Sequence, residues 1–160
     1  MPVFASSHFG PISYEPEAAV EFPRGLPGFE NSRQFLAIGL PQSEPLIFLQ
    51  SLEQSDLCFI SVPVQVVDRT YRLRLAEEDV ELIGLVGDEV PQPGEDVLCL
   101  AVLSVREDGP TANLLAPIVV NLSNHRAVQA VAPETVYSHQ HSLLPAAAAS
   151  EAAEPYLCAV

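Results

Sequence analysis

Lysine and tryptophan are absent from the chain, and its seven bases, all arginine, face 21 acids for a formal net charge of −14. Nucleic-acid binders need a basic stripe whose counterion release drives association, so this balance disfavours direct contact with DNA or RNA. It suits a basic protein partner instead. Cysteine is scarce: Cys58, Cys99 and Cys158 lie far apart, form no CxxC pair and leave one over after any pairing. A disulfide framework and a zinc knuckle are therefore not expected, and a reducing, cytoplasmic setting is. No base precedes Arg24, so the positive end of a secretory signal is missing. The longest apolar stretch, Val97 to Leu103, falls far short of the roughly 18 residues of a membrane helix. Export and membrane insertion are not expected.

Motifs that would announce chemistry are missing too: there is no GxSxG elbow, P-loop, GxGxxG, HExxH or EF-hand loop. His139 and His141, at i and i+2, share one face of an extended chain and are the nearest thing to a metal pair. They are the basis of a rival reading as a small metal-dependent hydrolase, against which stands the lack of a carboxylate or cysteine nearby in sequence. Cys58 and Cys99 each sit within an apolar run and read as buried, inert thiols. The sequon Asn121-Leu122-Ser123 is idle without secretion. The expectation is a protein with no catalytic residue, metal, cofactor or small-molecule substrate.

What is present is enough to fold. Apolar residues make up 48% of the 160 and charged residues 18%, too hydrophobic for a disordered chain and of a length that fits one domain. Short apolar runs bounded by Pro, Gly, Ser or acid recur at Phe35–Leu40, Leu46–Leu52, Leu57–Val62, Val97–Val105, Ile118–Leu122 and Ala127–Val131. The alternation in Thr70–Leu75, with Tyr71, Leu73 and Leu75 opposite Thr70, Arg72 and Arg74, predicts a half-buried strand. Pro41–Pro45, Pro91–Gly94 and Glu107–Pro110 supply turns. One short helix is predicted over Ala76–Leu85, with Val80, Ile83 and Leu82 toward the core and Glu77, Glu78 and Asp79 in the first turn, where the helix dipole favours negative charge. The fold class that follows is all-β: a small antiparallel β-barrel-like or sandwich domain with one short helix. Residues 1–144 form the domain, and 145–160, rich in alanine and proline, read as a flexible tail.

Eight of the acids, and no base, fall between Glu77 and Asp96. A solvated surface and an electrostatic docking face on Glu77, Glu78, Asp79 and Glu81 are the two readings of that window. Two uncharged segments are the other candidates. In Gly25-Leu26-Pro27-Gly28-Phe29-Glu30, glycines flank a Leu-Pro pair, fixing a tight turn that offers Phe29 as an anchor. From Thr111 to Asn121 an apolar strand is interrupted by Pro117, which cannot donate to a ladder and so marks an edge or a bulge, and edges accept partner strands. Asn113 and Asn121 are either contact residues there or caps for buried backbone groups at bends.

These two segments resemble the signature motifs of the flagellar assembly factor FliW family. Between them Phe48-Leu49-Gln50-Ser51, Cys58-Phe59-Ile60 through Pro63, Tyr71 and Asp79-Val80 fall in the family's order, and Gln129 and Tyr137 follow. The similarity runs from about Ile12 to Leu144. The chain departs from the family's pattern between Asn121 and Gln129, where several bases are usual and only Arg126, with His125, remains, and at Gln140, where the family often has arginine. The resemblance implies a cytoplasmic, barrel-like protein that is not an enzyme. It implies binding to the basic RNA-binding translational regulator CsrA, relief of that regulator's repression of flagellin messenger RNA, and competition by flagellin for the same factor. A structural flagellar component and an RNA-binding barrel are the remaining alternatives.

Overall fold

The computed structural model describes residues 2–85, 91–107, 109–131 and 137–143. Its strands are β1 (Val3–Ser6), β2 (Gly10–Ser13), β3 (Val20–Glu21), β4 (Gln34–Gly39), β5 (Ile47–Ser51) and β6 (Cys58–Pro63), then β7 (Val97–Arg106), β8 (Gly109–Ala112), β9 (Ile118–Asn121), β10 (Ala127–Gln129) and β11 (His141–Ser142). Two short helices, α1 (Val64–Val67) and α2 (Glu77–Leu82), lie between β6 and β7. All six expected apolar runs are strands, because each carries apolar side chains at adjacent positions and is closed off by a turn residue. β1, β2, β3, β8 and β11, of two to four residues each, are too short to show a pattern in sequence.

The main path runs β10-β9-β7-β6-β5-β4-β3, with antiparallel neighbours throughout. It curls until its ends meet: Glu21 bridges Arg126, and the Glu21 N–H donates to the His125 carbonyl at 2.9 Å. The result is a barrel closed at one seam by a single bridge. β8 continues the line of β9 along β7 and is flanked on its far side by β11.

Alternation along β7 divides the core in two. Leu98, Leu100 and Val102 join Phe22, Phe35, Leu49, Ile118 and Val120 inside the barrel, while Val97, Cys99, Ala101 and Leu103 face outward into a second cluster. Residues 64–85 lie over that outer face and fill it with Val64, Tyr71, Leu73 and Ile83. β9 is buried on both faces, which explains its unbroken apolar run.

One expectation needs correction, and another is resolved between its two readings. Thr70–Leu75 is not a strand: Tyr71 and Leu73 are buried and Arg72 and Arg74 exposed, as the alternation implies, but the segment joins no ladder. It is fixed by its ends, with the Tyr71 hydroxyl donating to the Leu114 carbonyl and the Arg72 N–H to the Tyr137 hydroxyl, both at 2.8 Å. Of the two readings of Pro117, an edge or a bulge, the edge is excluded, because β9 lies between β7 and β10. The register of β8 and β9 against β7 shifts by three residues across Asn113–Pro117, so the proline sits in a bulge. The helix over Ala76–Leu85 is real but shorter, and α1 is an addition to it. The tail, residues 145–160, lies outside the described residues.

Candidate protein-binding surface

α2 forms after Ala76 with three acids in its first turn. Its one fully buried end residue, Ile83, pins it to the outer core, and the Ile83 carbonyl accepts bonds from Asn121 Nδ2 at 2.8 Å and Asn124 Nδ2 at 3.0 Å. Glu77, Glu78 and Glu81 are exposed, so three of the four predicted docking acids form a negative face. Asp79 does not belong to it. It is buried, and its Oδ1 lies 3.7 Å from Nη1 of Arg24. Burial holds its carboxyl above the ordinary value, Arg24 pulls the other way and Glu78 adds to the rise. Within the window, Glu95 and Asp96 are exposed too, while Asp88 and Glu89 lie outside the described residues.

The Arg24–Asp79 pair brings together two segments that the sequence separates. Arg24 immediately precedes the turn in which Gly25 (φ 68°) and Gly28 (φ 84°) adopt left-handed conformations. A Cβ on Gly25 would sit 2.6 Å from the Glu30 carbonyl oxygen, so glycine is required there. Leu26 pairs with Phe29 across Pro27 and Gly28, buries its own side chain and leaves Phe29 39% exposed. The Phe29 ring meets the edge of Phe59 at 5.4 Å. Sequence reasoning missed Arg24 and Asn124, since only the fold shows what they reach.

The other predicted residues are committed inward. Pro117 and Asn121 are buried, and Asn113 is half-buried. Asn113 Oδ1 accepts from the Ala116 N–H, and Asn121 Oδ1 from the Ser123 N–H, each at 2.9 Å. These are caps for backbone groups at bends, and Asn121 also fixes the end of α2. Gln50 and Ser51, both fully buried, build the β5–β6 turn: Ser51 Oγ accepts from the N–H groups of Glu53 and Gln54. Gln50 donates to the Ser51 carbonyl at 2.9 Å and accepts from the Ser6 hydroxyl at 2.8 Å.

Cys58 and Cys99 are poor nucleophiles. Burial pushes Cys58 up to about 11 and Cys99 up to about 12, so both stay protonated near neutrality. His139 and His141 are exposed, and among the described residues no three His, Cys, Asp or Glu side chains converge to hold a metal. No helix among them is long and apolar enough to cross a membrane.

Fold and surface thus define a small antiparallel barrel whose distinguishing features are an acidic helix and a rigid glycine turn tied to it. Comparison with known proteins says which. The family model described as FliW protein matches residues 3–143. A flagellar assembly factor FliW of Desulfitobacterium hafniense (strain Y51) is 32% identical over 149 residues, covering 93% of this chain and 95% of that protein. One of Bacillus subtilis (strain 168) is 31% identical over 143 residues, covering 88% and 96%. The crystal structure of the flagellar assembly factor FliW superposes with a TM-score of 0.79 at 30% identity, over 90% of this chain and 98% of that one. The chain belongs to the FliW family of flagellar assembly factors.

Proposed function

We propose that the chain is a non-enzymatic, cytoplasmic assembly factor that occupies the surfaces of other proteins. One partner is the basic RNA-binding regulator CsrA, whose repression of flagellin synthesis it relieves. The other is flagellin itself, so that subunits awaiting export compete for the factor. Family membership supports this reading, and the observation that carries it is the exposed acidic face of Glu77, Glu78 and Glu81 on a chain of net charge −14. Such a face attracts a basic protein and repels RNA phosphates. Of the remaining predicted residues, Asp79 and Asn121 act by holding α2 in place, and Asn113 and Pro117 by shaping the bulge beside it.

A pull-down from cytoplasm, with and without excess flagellin, tests the reading. Capture of the regulator and its release by flagellin are expected, and failure to capture either overturns it. Replacing Glu77, Glu78 and Glu81 by glutamine should slow association several-fold at low salt and little at high salt, because exposed charges are screened beyond about 8–10 Å at physiological ionic strength. An on-rate indifferent to both changes removes the acidic face from the mechanism.

A further inference from the structure

The barrel wall has an opening in its hydrogen-bond ladder that no sequence pattern reveals. β6 and β7 pair through Ser61↔Val102, Val62↔Ala101 and Pro63↔Leu100, and there the ladder stops, although β6 begins at Cys58 and β7 continues to Arg106. Over that stretch β7 pairs with β8 on its other side, and β6 with β5 on its other side. Neighbouring bonds fix where the peptide groups point. The Ser51 N–H donates to the Leu57 carbonyl, so the antiparallel alternation turns the N–H and C=O of Cys58 away from β5 and into the opening. The Leu143 N–H donates to the Pro110 carbonyl, which turns Pro110 away from β7. Val105, opposite Pro110, therefore aims its own N–H and C=O into the same opening. The β6–β7 register takes in neither Cys58 nor Val105.

The surroundings are apolar at the centre, and the rim carries three acids, with Arg33 bonded to the Glu30 carbonyl and His8 to the Asp56 carbonyl. Ile60 is 38% and Val105 85% exposed. Phe59, backed by the half-exposed Phe29, lies on the opposite face of the wall from Ile60. Glu30 follows Phe29, Asp56 precedes β6 and Glu107 follows β7, and all three are exposed. Arg106 is the one base within β6 or β7.

We propose that this opening docks an extended segment of another protein, which adds as a strand to the β7 edge. Its alternate apolar side chains meet Ile60 and Val105, and its lysine or arginine side chains meet Glu30, Asp56 and Glu107. Charge selects the occupant. A second copy would bring the same three acids against themselves, and residues 144–160 of the chain carry Glu151 and Glu154 and no base. The site goes beyond the regulator and flagellin reading and requires neither partner.

The test titrates a short, end-capped peptide of alternating valine and lysine into the full chain while backbone amide exchange is followed. Slowed exchange at Val105 is expected, with none when glutamate replaces the lysines of the peptide. Val105→Pro, which removes the donor facing the opening and no bond to β8, should weaken binding at least about tenfold, whereas Val105→Thr should retain it. A peptide that does not bind, protection confined to other strands, or equal binding by Val105→Pro overturns the proposal. A Val105→Pro chain that loses the peptide and still captures the regulator separates this site from the acidic face.

Discussion

Residues 64–85 and the β1–β2 hairpin both lie across the outside of the barrel, the first over β7, β9 and β10 and the second over β5, yet different chemistry holds them. The first cover is apolar: Val64, Tyr71, Leu73 and Ile83 are all buried against Val97, Cys99, Val119 and Val128. The hairpin buries only Ser6 among its strand residues. It is fastened by the Ser6–Gln50 bond, by bonds from Ser7 to Ser55 and by the edge contact of Phe9 with Phe48 at 5.5 Å. An apolar cover cannot lift without exposing core, whereas a cover held by a polar clasp can open locally. The acidic helix, which needs a fixed position, is carried by the first kind.

The largest expected effect tests that difference directly. Ile83→Ala removes a fully buried side chain and should destabilise the whole domain by about 2–5 kcal/mol, seen as a lower denaturation midpoint and faster amide exchange throughout. An exchange increase confined to α2 would show that the cover is a separable layer. Gln50→Ala comes next. It strands the buried Ser6 hydroxyl and three bonds to the carbonyls of Ser51, Gln54 and Ser55, a loss of about 1–3 kcal/mol. Exchange should accelerate in β1, β2 and the β5–β6 turn while β9 stays protected, and a uniform increase would erase the contrast.

Legibility in the sequence followed the same division. The strands that line the barrel were readable because burial and hydrogen bonding coincide in them, as in Phe35–Leu40 and Ile118–Leu122. In Thr70–Leu75 the two part company: alternation reports which side chains are buried, and that segment is buried against a sheet it does not join. The glycine turn was readable because positive φ restricts the residue type at Gly25. Asn113 and Asn121 were ambiguous, since a capping side chain and a contact side chain look alike until the bonds to Ala116, Ser123 and Ile83 are visible. The inward turn of Asp79, and the opening between β6 and β7, depend on contacts between segments distant in sequence, which no local pattern encodes.

The smallest effect concerns the anchor between the apolar cover and the glycine turn. Burial outweighs the pull of Arg24 and keeps Asp79 above its ordinary value of 3.8. The folded chain therefore binds that proton more tightly than the unfolded chain. The associated stability is present below the ordinary value and is lost as pH rises through the folded one. Asp79→Asn removes this dependence, so the variant should lose less stability than the wild type between about pH 4 and pH 7, a difference in melting temperature that isolates one carboxylate from the many others titrating there. Arg24→Ala deletes the opposing charge and should steepen the wild-type loss, though only modestly, because the Arg24 side chain is 54% exposed and its pull is screened. If Asp79→Asn leaves the difference flat, Asp79 reaches solvent in the folded chain, and the glycine turn is positioned by Leu26 and its backbone alone.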